Sequence, residues 1–200
     1  MTILYKLGNN LYVNLTNQCP CSCTFCLRQT RDHMGDSGTL WLEREPSYEE
    51  VIEAFKNFPE DSYKDLVFCG FGEPTERLDL LLKVADYVKE HFHKKIRINT
   101  NGLGDLIHGR DITPDFEGRI DCLSISLNTP DKERYLELTR NKFGIESFDA
   151  LLTFAKNATR HVPEVVLSTV ETTLSKEEEE KCRKICEELG ATYRIRPWED

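Results

Sequence analysis

Apolar residues take every second position in six short runs of this chain, and between those runs they recur at helical spacing. Leu11, Val13 and Leu15 alternate with polar residues in Asn10–Asn17, the period of a strand with one buried face. Asp65–Gly70 (DLVFCG), Lys95–Thr100 (KIRINT), Asp121–Asn128 (DCLSISLN), Glu164–Thr172 and Thr192–Arg196 are predicted as five further strands. Ser47-Tyr-Glu-Glu50 has the form of a capping box, and Val51, Ile52 and Phe55 continue a helix from it on one face. Leu78, Leu81, Leu82, Ala85, Val88 and Phe92 keep helical spacing across Glu76–Phe92. Thr113-Pro114 and Thr129-Pro130-Asp131 each open a helix with a cap residue and an early proline. Ser147–Asn157 also reads as helical. The last helix, Lys176–Leu189, is capped by Ser175, with Glu178 three residues on, and stopped by Gly190.

Strands alternating with helices imply a parallel sheet with helices packed outside it. A closed (β/α)8 barrel takes about 250 residues, and this chain has 200. The expected fold is therefore α/β: a partial (β/α)6 TIM-like barrel, an open parallel sheet with outer helices, formed by one domain over residues 1–200. Ligands of such folds bind beyond the C-terminal ends of the strands, so the informative residues are those that follow each strand.

Charge narrows the partners. Lys and Arg number 26 against 35 Asp and Glu, a net charge of −9. An acidic chain is a poor generic binder of nucleic acid or anionic membrane, because phosphate contacts rest on Lys and Arg. No long apolar run suggests a membrane span. Met1–Lys6 carries no basic region followed by an apolar stretch, so no export signal is expected and a cytoplasmic location is.

Eight cysteines then change the picture. Cys19, Cys21, Cys23 and Cys26 fall within eight residues, directly after the first predicted strand. In a reducing compartment such clustering favours metal or cluster chemistry over disulfides. Cys19-x3-Cys23-x2-Cys26 can grip three irons of a cubane and leave the fourth open. Thiolates suit zinc equally well, and Cys21 or His33 would complete a local zinc site, so both metals stand open on spacing alone. Cys182 and Cys186 share a helix face with Ile185 and Leu189 and read as core. Cys69 and Cys122, inside strands, read the same way, and no second cluster is expected.

Cys19-x3-Cys23-x-Phe25-Cys26 resembles the signature of the radical S-adenosylmethionine (SAM) superfamily. The resemblance implies that Cys19, Cys23 and Cys26 hold a [4Fe–4S] cluster, with Cys21 a bystander. It implies that the open iron chelates SAM and that Phe25 lies beside the adenine. Gly70-Phe-Gly72-Glu73-Pro74 is similar to the family's Gly-Gly-Glu-Pro, with Phe71 in place of a glycine, so Glu73 and the backbone at Gly72 would bind the SAM amino group. Asn99-Thr100-Asn101-Gly102 is similar to the family's Thr-Asn-Gly segment and brings in Asn99. Ser126 and Asn128 would contact the SAM ribose or carboxylate; Ser168, Thr169, Arg194 and Arg196 are further carboxylate-binding candidates. In such a family a reduced cluster splits SAM into methionine and a 5′-deoxyadenosyl radical, which abstracts hydrogen from a substrate. An external electron donor of flavodoxin or ferredoxin type follows from this.

The strings LYVNLTNQCPCSCTFCLR, LWLEREPSYEEVI, FCGFGEP, IRINTNG and SISLNTPD look closest to the TatD-associated radical SAM proteins, which implies a functional association with a TatD-type hydrolase and no particular reaction. A small-molecule substrate is expected, read by the long segment 27–46 with Arg28, Arg31, His33, Trp41 and Arg44. Two enzyme alternatives are an activase of a glycyl-radical partner protein and a carboxy-deazaguanine synthase, the latter disfavoured by Leu27 where a polar magnesium ligand belongs. A non-catalytic zinc or iron–sulfur interaction module is the alternative from outside enzymology.

Overall fold

The computed structural model describes residues 1–198. Its seven strands form one sheet in sequence order: β1 (Leu4–Leu7), β2 (Asn10–Val13), β3 (Leu66–Phe68), β4 (Ile96–Thr100), β5 (Cys122–Ser126), β6 (Glu164–Val170) and β7 (Thr192–Arg196). β2 to β7 run parallel. The helices between them are α1 (Tyr48–Phe55), α2 (Leu78–His91), α3 (Gly104–His108), α4 (Lys132–Thr139), α5 (Ser147–Ala158) and α6 (Lys176–Leu189). β1 and β7 are the unpaired edges, so this is the open α/β partial barrel expected. No helix among the described residues is long and apolar enough to cross a membrane.

β1 is an addition to the six expected strands. It pairs antiparallel with β2, Leu4 opposite Val13, through a turn at Gly8, whose φ is +58°. Its apolar run was too short to carry a visible period, and only pairing with β2 makes it a strand. The strand expected over Asn10–Asn17 ends at Val13. Beyond it, side chains take over from the ladder: Asn14 Nδ2 donates to the Leu40 carbonyl (2.8 Å), and Asn17 exchanges two bonds with the Leu42 backbone (2.7 and 3.0 Å).

The two faces of the sheet differ sharply. Leu11, Leu66, Phe68, Ile96, Ile98, Leu123, Ile125 and Leu167 are fully buried under the helices. The alternate positions of β4 and β5 (Arg97, Asn99, Cys122, Ser124, Ser126) are only partly buried and line the concave side. Cys69 and Cys122 are also half-buried, not the core residues expected from their place in strands, while Cys182 and Cys186 are buried in the core. On the β1–β2 side, Tyr5, Leu40 and Phe71 form a second apolar cluster with Leu7, Tyr12 and Met34 packed against it. Segment 27–46 therefore folds back as a wall of the half-barrel.

Two glycines permit the close approach of the strand ends. A Cβ on Gly70 would stand 2.0 Å from Asn14 Oδ1, and one on Gly72 would stand 2.3 Å from the Thr16 carbonyl oxygen and 2.6 Å from that of Gln18. The backbone obstacles at Gly72 are the less yielding. We expect Gly72→Ala to lose about 1–3 kcal/mol of stability, the usual cost of overpacking, in urea denaturation; an unchanged midpoint would show that the loop after β2 yields freely.

Candidate active site

The loop 19–26 leaves the end of the first parallel strand and crosses to the far side of the rim. It is held there by backbone bonds. Ser22 N–H donates to the Thr139 carbonyl and Thr24 N–H to that of Leu138, both at 2.9 Å, while Lys142 N–H reaches the Pro20 carbonyl at 3.0 Å. Leu138 and Thr139 close α4, where helix carbonyls lack intrahelical partners. Arg28 braces the loop from beneath: its guanidinium donates to the carbonyls of Asn17 (3.3 Å), Phe71 (3.4 Å) and Cys21 (3.4 Å), and lies 5.9 Å from the Trp41 ring centre. Arg28 thus shapes the cysteine loop, a role that its place in the substrate-reading segment did not suggest.

The four thiols of the loop are sorted by this fold. Cys21 is buried, whereas Cys19, Cys23 and Cys26 are partly exposed. The Cys21 thiol is hydrogen-bonded to Cys19 and Cys23. That bonding lowers both partners below the ordinary thiol range, against the opposing push of burial, and drives Cys21 far upward. Cys26 is raised by burial. Asn101 Nδ2 adds weak contacts to the sulfurs of Cys21 (3.7 Å) and Cys19 (3.9 Å); sequence reading gave Asn101 no role of its own. Tyr135 of α4 is a second residue it missed. Its ring is fully buried, its hydroxyl has no hydrogen-bond partner among the described residues, and its pKa is raised by burial first and then by Cys21 and Cys23.

Glu73 stands inside the rim, buried, as the cap of the short turn Pro74–Arg77. Its Oε1 accepts from Thr75 N (3.2 Å), Thr75 Oγ1 (2.8 Å) and Thr100 Oγ1 (2.7 Å), and its Oε2 accepts from Asn101 N (2.7 Å). The carboxylate so ties the loop after β3 to the loop after β4, with Oε2 holding the smaller share of donors. Burial still outweighs these bonds and raises its pKa. Phe71, the departure from two adjacent glycines, turns into the second apolar cluster and meets Trp41 edge-on, ring centres 5.1 Å apart. The two glycines that the close approach requires are those on either side of it.

The other expected residues lie on or near the same rim. Phe25 is exposed (40 %), an apolar ring without cover at the loop's tip. Asn99 is half-buried on the concave face and hydrogen-bonds the Cys69 thiol. Ser126 ends β5, and Asn128 follows with a φ of +66°, a left-handed conformation that Asn tolerates better than most residues. Asn128 is buried; its Nδ2 donates to the Ser126 carbonyl (3.4 Å), and its Oδ1 has no partner among the described residues. Thr169 does not join them. It faces the helices and bonds Tyr193 at 2.7 Å.

Comparison with known proteins now bears on this rim. The family model described as the radical SAM superfamily matches residues 13–189. The chain belongs to that superfamily. It is 31% identical over 146 residues to the GTP 3′,8-cyclase of Corynebacterium glutamicum, covering 68% of this chain and 35% of that protein. It is 28% identical over 164 residues to a probable GTP 3′,8-cyclase of Pyrococcus horikoshii, covering 80% and 46%. The chain thus spans less than half the length of these curated relatives. Among solved structures, SuiB of Streptococcus suis bound to SAM superposes with a TM-score of 0.68 at 18% identity, over 97% of this chain and 41% of that one. TYW1 with a lysine–pyruvate adduct superposes at 0.63 and 16% identity, over 96% and 65%. At such identities these two establish the shared fold alone.

The cofactors of that superfamily are a [4Fe–4S] cluster and SAM. The donor set of this radical SAM chain fits those cofactors. A cubane takes each thiolate on a different iron, so its ligands need not converge on one point, and no three His, Cys, Asp or Glu side chains among the described residues do so.

The raised pKa of Glu73 generates a prediction. A carboxyl whose folded value exceeds its unfolded one is destabilising when ionised and gains stability as the pH falls through the folded value. Relative to Glu73→Gln, the unaltered protein should therefore gain stability as the pH falls from neutrality toward the ordinary glutamate range, by at most about 1.4 kcal/mol per pH unit. Denaturation of both proteins across that range measures it; a flat difference would show that the hydrogen bonds cancel the burial.

Proposed function

We propose that Cys19, Cys23 and Cys26 hold the cluster of this radical SAM enzyme, and that Phe25, Gly72, Glu73, Asn99, Ser126 and Asn128 form the bed for SAM. The observation that carries this reading is the sorting of the loop thiols: three stand partly exposed at the C-terminal rim of the sheet, and Cys21 alone is turned into the core. When bound, the cluster supplies the electron that cleaves SAM reductively, so that a 5′-deoxyadenosyl radical becomes available for hydrogen abstraction from a small molecule. The chain's own residues do the positioning. Arg28 and the end of α4 hold the cysteine loop. Phe25 offers an uncovered apolar ring to the adenine, and Asn128 Oδ1 is an acceptor without a donor among the described residues. Glu73 fixes Asn101 and keeps the two rim loops together, while Gly72 lets the backbone approach.

The same reading takes residues 1–200 as a single radical SAM domain in the cytoplasm, served by an external reductant of flavodoxin or ferredoxin type. The motif strings support a TatD-associated type and a functional link to a TatD-type hydrolase. The GTP 3′,8-cyclase relatives support the superfamily chemistry; the chain spans too little of them to carry over their substrate.

Anaerobic reconstitution tests the assignment. Cys23→Ala should lose most cluster iron and sulfide, because one iron is left without its anionic ligand, while Cys21→Ala should retain both. Reduced, loaded protein should release 5′-deoxyadenosine from SAM. Equal iron and sulfide in the Cys23→Ala protein, or one zinc per chain without sulfide, would overturn the ligand set.

A further inference from the structure

The concave face of the sheet also carries charges that the proposed bed for SAM does not use. Arg97 lies on β4, in register with Cys122 on β5 and then Glu164 on β6. It is four residues below the rim residue Asn101, about 13 Å at a strand rise of about 3.3 Å per residue. Its Nε is buried and has no hydrogen-bond partner among the described residues, a costly state for a donor that water cannot reach. Arg194 faces the same side from β7, in the row of Ser126 and Ser168. Both guanidiniums lie within electrostatic reach of the Cys122 thiol. Burial pushes the Cys122 thiol up to about 11, and both Arg97 and Arg194 act on it in the opposite direction. Asn99, Ser124 and Ser126 present half-buried amide and hydroxyl groups on the same face. The carboxylates nearby are Glu164, exposed at the start of β6 and bonded by the Cys122 thiol, and Glu73, already enclosed by its four donors. A chain of net charge −9 therefore keeps a basic floor inside its half-barrel.

We propose that this floor binds the anionic end of the substrate, a carboxylate or a phosphate, with Arg97 as its principal ligand and Arg194 closing on it from β7. A guanidinium fork matches the paired oxygens of either group. The inference rests on the reading that SAM lies at the rim, since an anion anchored on the floor then directs the rest of a small molecule up toward the reacting end, where orientation counts most.

The Nε–H resonance of Arg97, identified by its loss in Arg97→Gln, reports directly on the site in the cluster-free full chain. Titration with inorganic triphosphate, and separately with citrate, should move it with at least one of the two. Calorimetry should then show that anion bound on the order of tenfold more weakly by Arg97→Gln. Should Arg97→Gln fail to fold, Arg97→Lys keeps the charge, loses the fork, and should bind severalfold more weakly. A response to triphosphate alone assigns a phosphate-bearing substrate, and one to citrate alone a carboxylate. No response to either, or equal binding by the variant, overturns the proposal. SAM binding by the loaded, unaltered protein is read in parallel. SAM bound with both anions ignored defeats this inference alone, whereas no SAM binding with an anion response defeats the proposed function and leaves the basic floor standing.

Discussion

The last turn of an α-helix ends in carbonyl groups with no partner inside the helix. In this chain those of Leu138 and Thr139 are met by the N–H groups of Thr24 and Ser22. That exchange settles two problems together. It closes α4, and it pins a cysteine loop from the second strand against an element that follows the fifth. Arg28 completes the fixture by gathering the carbonyls of Asn17, Cys21 and Phe71. With the loop's backbone fixed on both sides, Cys21 is directed inward and its three neighbours are left toward the rim. Glu73 repeats the device on a smaller scale, tying the loops after β3 and β4 through Thr75, Thr100 and Asn101.

The second constraint is the pleat of the sheet. Side chains of a strand alternate between its faces, so six parallel strands generate one mostly apolar face and one free to vary. The helices seal the first. On the second, the β1–β3 side is covered by Phe71, Tyr5 and Leu40, whereas β4 to β7 keep Asn99, Ser124, Ser126 and Arg194 within reach of solvent. An open sheet tolerates such residues because water reaches them. A closed barrel of this size would fill its interior with packed side chains.

Most of the architecture could be read along the chain. The alternation in KIRINT and DCLSISLN marked strands, the Ser47 and Ser175 capping boxes marked helix starts, and both boxes are present in the structure. β1 was missed because its four residues carry no period of their own, and the overlong second strand because Asn14 and Asn17 exchange ladder bonds for bonds to the 40–42 backbone. Arg97 stood in plain view between Ile96 and Ile98, at an inward position where a charge is unusual; strand parity was the signal that could have found it. Tyr135 carried no comparable signal, since its place on α4 is an ordinary core position.

What the amino-acid order determined by itself was local: the periods, the caps, the cysteine spacing, and the family to which the motifs point. These depend on neighbours within a few residues, whose geometry is set by backbone sterics and the helix or strand repeat. What only the tertiary structure decided was which groups answer one another across the fold. Arg28 became a brace, Cys21 was turned inward, the Glu73 carboxylate was enclosed, and Cys69 and Cys122 came to face the open side of the sheet. Each outcome is a matter of burial and of partners tens of residues away. Hydrogen-bond satisfaction in a packed interior is a property of the assembled molecule, and no window along the chain contains both halves of those bonds.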